Sequence, residues 1–291
     1  MILPGVARFS PFIRYVAKPL LLLLVWDVGV TYFWSITHIK WFDYPNLPLT
    51  LLGSVIAVYL SFRNNIAYAR WTEARFLWGS VVNCSRTLAR ESIVFLTDPR
   101  DVEIVARRQV AYVNALRSHL RSQEMESRTL EDLSRSEINS LERVGNVPNM
   151  ILCNTARYIN SVLRSDIIRS KMAVSISDVT NAQGGLERIK NTPIPQQYAS
   201  MPKVFTHLFC ILLPIGLVET LGWFTPLGSA VVGFLLLALL QIGDDIQNPF
   251  ANMDDDVPMS SLCRTIEIDL FDMAGIDHDL TPFKPKKGVL I

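Results

Sequence analysis

The residues best suited to chemistry lie in an acidic stretch near the carboxyl end of the chain, residues 243–258, with the sequence GDDIQNPFANMDDDVP. Clustered carboxylate and amide oxygens in a loop are the ligands that Ca²⁺ and Mg²⁺ prefer, because these hard cations take about six or more oxygen ligands. The stretch is therefore a candidate metal site. Its carboxylates are those of Asp244, Asp245, Asp254, Asp255 and Asp256.

Two other interpretations of the acidic stretch stay open. Its early pair and later triplet of aspartates are similar to the loops that hold Mg²⁺-diphosphate in membrane prenyl transferases. Those enzymes need many more membrane spans and two facing acidic motifs, whereas this chain offers one such motif. The stretch is otherwise a solvated acidic segment that leads into a helix beginning near Ser260.

A second candidate is a stripe on the segment 49–79, which predicts one continuous helix leaving a membrane for water. Residues 49–62 carry no charge, and three arginines and a glutamate follow them. Ser54, Val58 and Phe62 recur every four residues and so share one side of that helix over roughly 12 Å. We hypothesise that this stripe, repeated around a symmetry axis, is the narrow neck of an ion channel. An ordinary helix-packing face is the alternative.

The composition indicates a membrane protein with a soluble part. Of 291 residues 49% are hydrophobic, and the mean hydropathy is +0.25. The net charge of +1 argues against a nucleic-acid partner, which would require a concentrated basic face. The four cysteines and four histidines are scattered without metal-ligand spacing, so we expect neither a zinc site nor a metalloenzyme.

Four apolar runs predict four transmembrane helices. Residues 19–36 form the first, which is rich in aromatic residues and lacks a small-residue cleavage pattern, so we expect it to be retained. Asp27 lies in its middle, where a carboxylate must face a partner or water, either in the protein interior or in a pore. Residues 49–62 form the second span, and 204–221 and 227–242 form a hairpin joined by GWFTP.

Between the two hairpins the chain is polar and mostly helical, with breaks predicted at 97–100 (TDPR), 145–148 (GNVP) and the pair Gly184 and Gly185. Arg and Lys concentrate in the termini and in this middle region. The positive-inside rule therefore places both termini and the middle region in the cytoplasm. The predicted divisions are an N-terminal segment with the first transmembrane hairpin (1–62), a cytosolic helical domain (63–200), a second transmembrane hairpin (201–243) and a cytosolic acidic loop with the C-terminal segment (244–291).

Three blocks in this order resemble the bacterial bestrophin family and, with the order of the spans, cover nearly the whole chain. They are SFRNNIAYARWTEARFLWG at 61–79, GGLERIKNTPIPQQY at 184–198, and NPF with the acidic run and SLCRTIEIDLFDM at 248–273. The resemblance implies an all-α membrane protein of the inner membrane that assembles as a homopentamer around a central pore. Its partners would be other copies of the chain, the lipid bilayer and small monovalent ions.

The resemblance also implies two constrictions along the pore. The neck falls on the stripe already described, although the family favours larger apolar residues at its first position, where this chain has Ser54. A cytosolic aperture falls on one of two neighbouring isoleucines just after an aspartate. The residues concerned are Ser54, Val58 and Phe62 for the neck, and Asp166, Ile167 and Ile168 for the aperture.

For calcium the resemblance is incomplete. Asp245, Asn248 and Asp256 occupy positions that match the calcium clasp of the animal family, within the same run as Asp254 and Asp255. Met253 stands where an aspartate is expected, and a thioether is a poor ligand for a hard cation. We therefore expect calcium binding to be weak or absent, and no cofactor to be required.

The expected function is an ion channel rather than an enzyme. Chloride is the permeant ion suggested by most of the family, whereas a sodium-selective channel of the same fold is the alternative. The Mg²⁺-diphosphate enzyme at the aspartate-rich loop remains the alternative from another class.

Overall fold

The structure, a computed structural model, describes residues 9–37, 47–126, 129, 133–141, 144–285 and 288–290. Helices dominate these ranges, as the sequence predicts, and the all-α class is confirmed. The α-helices are α1 (Phe9–Thr37), α2 (Leu47–Phe95), α3 (Pro99–Arg121), α4 (Arg135–Leu141), α5 (Val147–Val162), α6 (Asp166–Asn191), α7 (Gln196–Leu221), α8 (Thr225–Ile246) and α9 (Met259–Ala274).

Two of the three predicted breaks have local causes that the sequence shows. Asp98 caps α3, because its side chain accepts a hydrogen bond from the Arg100 N–H at 2.9 Å, and Pro99 follows in the first turn. Asn146 caps α5 in the same way, accepting from the Asn149 N–H at 3.1 Å. The breaks at 97–100 and 145–148 are thus confirmed.

The break predicted at Gly184 and Gly185 is wrong, because α6 continues through both residues. A Cβ atom added to Gly185 would lie 2.8 Å from Leu77 Cδ1. The glycine therefore provides room for the Leu77 side chain of α2 and does not end the helix.

We expect Gly185→Ala to lower the free energy of unfolding by about 1–3 kcal/mol, because the added methyl group overpacks the contact with Leu77. Thermal unfolding of the detergent-solubilised protein measures this. Gly184→Ala is the matched control, since its added Cβ would meet no described atom within 4 Å. That control should gain stability through the higher helix propensity of alanine. Equal behaviour of the two variants would contradict the packing role.

Helix α2 is 49 residues long and buries one seam. Each buried position follows the previous one by three, four or seven residues, which keeps the positions on one side of the helix. The seam residues, each 2% exposed or less, are Ile56, Leu60, Arg63, Ala67, Ala74, Trp78, Val81, Ser85, Leu88 and Ser92.

The described residues form two compact units that divide at Arg70, Pro193 and Asn248. The first, here the membrane unit, contains α1, α2 up to Arg70, α7 and α8. Ile56 and Leu60 of α2 pack there against Phe209 and Leu213 of α7 and against Leu236 and Leu240 of α8.

Three helical stretches among the described residues are long and apolar enough to cross a membrane: Val16–Thr37, Leu49–Phe95 and Gln196–Ile246. The third contains both α7 and α8. A 3₁₀ turn, Gly222–Phe224, separates these two helices, and Gly222 adopts a φ of +52° that favours glycine. The predicted GWFTP connection coincides with this turn.

The second unit, here the globular unit, contains the rest of α2 with α3, α4, α5, α6 and α9. Its core is a continuous apolar cluster to which all six of these helices contribute. Fully buried members include Trp78 and Leu88 of α2, Val105 and Leu116 of α3, Ile151 of α5, Met172 and Leu186 of α6, and Ile266 of α9.

Candidate functional site

The predicted neck stripe lies on the exposed side of α2 within the single chain. Val58 is 56% and Phe62 60% exposed, and Ser54 is exposed as well. The Ser54 hydroxyl donates to the Thr50 carbonyl one turn earlier at 3.0 Å, so its own helix satisfies it. With 3.6 residues per turn, the stripe lies opposite the buried seam that contains Leu60. It is therefore available to another surface.

The exposed face of α2 is broader than the stripe. Leu51 and Val55, which are 58% and 64% exposed, flank it at the outer end, and Ile66 extends it beyond Phe62. A contiguous apolar face of this kind marks a protein or membrane contact in the folded protein.

Arg63 follows Phe62 directly and is fully buried in the membrane unit. Its Nη1 atom donates to the Leu240 carbonyl of α8 at 3.0 Å, and its Nη2 atom pairs with Asp244. Lys203 Nζ of α7 lies 2.8 Å from the other Asp244 oxygen. Asp244 is therefore the counter-charge of two cations.

From the sequence, Arg63 is only the first charged residue after the apolar run. The burial of the Arg63 side chain in the seam of α2 was not predicted. A signal was present, because Arg63 keeps the three- and four-residue spacing from Leu60 to Ala67. A charged residue at a buried position requires a partner of opposite charge.

Asp27 of α1 is buried inside its own membrane unit, with no exposed surface. The Ser229 side chain of α8 interacts with its carboxyl group, but no described residue forms a side-chain hydrogen bond of ordinary geometry with either carboxylate oxygen. The Thr31 hydroxyl donates to the Asp27 backbone carbonyl at 2.8 Å. Of the two predicted surroundings, the structure shows the protein interior.

The predicted aperture residues lie at the start of α6 and differ in exposure. Asp166 is the first residue of the helix, with a side chain 93% exposed, and Arg169 Nη1 lies 3.0 Å from its carboxylate. Ile167 is 83% exposed, whereas Ile168 packs against the core of the globular unit. Of the two isoleucines, Ile167 is thus the exposed one, next to the exposed Asp166.

The acidic stretch is divided between the two units. Asp245 and Asn248 belong to the membrane unit, where Gln241 Nε2 donates to Asp245 at 2.7 Å. Asp254, Asp255 and Asp256 belong to the globular unit. Among the described residues, no group of three or more His, Cys, Asp or Glu side chains is placed to hold a metal ion.

Among the aspartates of the acidic stretch, Asp256 is the buried one, 3% exposed. Burial raises the pKa of its carboxyl group above the ordinary value, against the opposing effect of the Met253 and Asn252 N–H groups. The Met253 N–H donates to one carboxylate oxygen at 2.8 Å. Trp71 Nε1 donates to the backbone carbonyl of Asp255 at 2.9 Å, which ties the loop to α2 within the globular unit.

Proteins of known structure share this helical architecture. A bacterial bestrophin homolog from Klebsiella pneumoniae superposes with a TM-score of 0.85 at 28% sequence identity, covering 90% of this chain and 100% of that chain. A variant of the same homolog with one tryptophan changed to alanine gives the same TM-score and identity, and 98% of that chain is covered.

Sequence relatives agree with the structural likeness. The chain is 34% identical over 230 residues to the voltage-dependent anion channel-forming protein YneE of Salmonella typhi, covering 78% of this chain and 76% of the relative. It is 31% identical over 247 residues to a Mesorhizobium japonicum protein of the same description, covering 81% of this chain and 79% of the relative. The sequence model of the bacterial and fungal bestrophin proteins matches residues 8–272. The chain therefore belongs to the bacterial and fungal bestrophin family.

Proposed function

We propose that this protein is a pentameric channel of the inner membrane that passes small monovalent anions through a neck formed by α2. The observation that carries the proposal is the exposed stripe of Ser54, Val58 and Phe62, opposite the buried seam of the same helix. The description of the relatives as anion channel-forming proteins supports the choice of anion.

The proposed neck gates by dewetting. Rings of Val58 and Phe62 side chains around a symmetry axis offer no hydrogen bonds to replace the hydration shell of an ion. When the rings approach within a few ångströms, water leaves the constriction and conduction stops, and no charge has to move. Ser54 is smaller and polar, so Val58 and Phe62 form the tighter part of the neck.

The second constriction is proposed at Ile167. The Ile167 side chain is 83% exposed in the first turn of α6, whereas the neighbouring Ile168 is partly buried and packs against the core of the globular unit. Asp166, also exposed beside it, contributes a carboxylate that is partly neutralised by Arg169. The aperture then consists of apolar side chains rimmed by paired charges.

The proposed topology has four spans: α1, the amino-terminal part of α2, α7 and α8. The third apolar stretch, Gln196–Ile246, is 51 residues long, about twice the length that crosses a bilayer once. Its turn at Gly222–Phe224 supports a hairpin. An even number of spans places both termini on one side, and the distribution of Lys and Arg favours the cytoplasm.

The ion preference is tested by reversal potentials of the purified protein in planar bilayers with asymmetric NaCl. We expect the reversal potential to move toward the chloride equilibrium potential. A shift toward the sodium equilibrium potential identifies a cation channel of the same fold. The absence of any current, together with a monomer in negative-stain images where a five-fold particle with an axial hole is expected, would reject the channel.

For calcium we propose that binding is weak or absent. Met253 stands in the acidic run where the resemblance to the animal family implies an aspartate, and a thioether is a poor ligand for Ca²⁺. Isothermal titration with CaCl₂ should give no heat of tight binding. Tight binding that disappears in Asp256→Ala would contradict the proposal.

A further inference from the structure

The cytosol-facing end of the proposed neck stripe is fastened to α8 by two consecutive residues of α2. Arg63 Nη1 donates to the Leu240 carbonyl at 3.0 Å, and Asn64 Nδ2 donates to the adjacent Leu239 carbonyl at 2.8 Å. A carbonyl oxygen has two lone pairs, so both carbonyls can accept these bonds in addition to those of the helix. Two bonds at neighbouring positions oppose both sliding and rotation of α2.

This attachment requires a glycine on α8. A Cβ atom at Gly243 would overlap Asn64 Oδ1 and lie 2.8 Å from Arg63 Nη1. Such positions are well inside van der Waals contact, so any larger residue must displace both side chains. The Arg63 and Asn64 side chains thus pack directly against Gly243, in space that a larger residue would fill.

The charge of Arg63 strengthens the attachment. The guanidinium group is fully buried and pairs with Asp244, the residue after Gly243. Lys203 of α7 joins the same carboxylate at 2.8 Å. A buried cation held by a carboxylate and a carbonyl has few alternative positions, because each displacement leaves a charge without a partner.

We propose that Arg63, Asn64 and Gly243 form a clamp that sets the direction in which Phe62 points and hence the width of the neck. Phe62 directly precedes the two donors in the same helix, so fixing the backbone at these donors also fixes the direction of the Phe62 Cα–Cβ bond. These three are positioning residues: they affect the ion pathway indirectly, by orienting Phe62. The inference rests on the proposed function, since it concerns the bore of that channel.

Single-channel recording of Gly243→Ala in planar bilayers tests the clamp. The added methyl group displaces Asn64 and Arg63 from the Leu239 and Leu240 carbonyls, and we expect a several-fold change in conductance or open probability. Gly29→Ala is the matched control, a helical glycine of the membrane unit whose added Cβ meets no described atom within 4 Å. Its currents should equal those of the wild type.

A double variant separates positioning from general destabilisation. In a Phe62→Ala background the added Gly243→Ala change should have no further effect on conductance, because the side chain that the clamp directs is gone. The same effect in both backgrounds would overturn the proposal. So would wild-type currents from Gly243→Ala in a protein that conducts normally.

Asn64→Ala provides a second variant in case Gly243→Ala fails to assemble. It deletes the bond to Leu239 and adds no atom, and we expect it to change conductance in the same background-dependent way. Unchanged currents in Asn64→Ala would then overturn the clamp. A wild-type protein without any current would instead reject the proposed function, and the clamp's role in conduction with it.

Discussion

Replacing Phe62 by alanine is expected to raise single-channel conductance several-fold and to prolong the open state. The side chain is 60% exposed within one subunit and lies at the end of the apolar stripe. Removing the ring from every copy widens the constriction and lets water remain in it, so the barrier to a hydrated ion falls. Recordings in planar bilayers under symmetric chloride measure both quantities.

The control for this prediction is Phe33→Ala on α1, which deletes the same ring from a side chain that is 48% exposed. It should leave conductance unchanged. Val58→Ala removes fewer atoms from the stripe and should raise conductance by a smaller factor. Currents indistinguishable from those of the wild type in both Phe62→Ala and Val58→Ala would contradict the proposal that α2 forms the neck.

Neutralising Asp244 is expected to destabilise the protein by about 3–5 kcal/mol, because the Asp244→Asn change leaves Arg63 buried without its counter-charge. The asparagine keeps the shape of the side chain, so the loss reports charge and not packing. The measurement is the midpoint of thermal unfolding in detergent, with the amount of intact oligomer as the signal.

The neighbouring carboxylate provides the comparison for Asp244. Asp245 accepts a hydrogen bond from Gln241 Nε2 at 2.7 Å, which an asparagine oxygen can also accept. Asp245→Asn should therefore cost less than about 1 kcal/mol, as is typical of exchanges at partly exposed polar positions. Equal losses in the two variants would show that Arg63 does not depend on Asp244.

The sequence predicts most reliably the features that depend on neighbouring residues in the chain. Asp98 with Pro99, and Asn146 with Pro148, begin helices through contacts made within three residues, and both starts are confirmed. Gly185 shows the limit of this reasoning. A glycine pair indicates a turn unless a distant side chain needs its space, and here Leu77 does.

The candidate site depends more on partners that lie far away in the chain. Arg63 and Asp244 are 181 residues apart in the sequence, so their pairing cannot be inferred from neighbouring residues. In the sequence, Arg63 is a charge at the membrane boundary and Asp244 is one of several acids in an aspartate-rich loop. The choice between Ile167 and Ile168 has the same origin. Both are isoleucines, and only the packing of α6 on the globular core distinguishes the exposed Ile167 from the partly buried Ile168.

The unbroken seam of α2 restricts how the length of this helix can change during evolution. One residue inserted between Trp78 and Leu88, within the globular unit, would turn the two parts of the seam about 100° apart and carry buried residues to the surface. Seven inserted residues would nearly restore the direction, since seven residues make almost two turns. Insertions and deletions in natural relatives should therefore fall in the connections between helices, while the count of residues from Trp78 to Leu88 stays fixed.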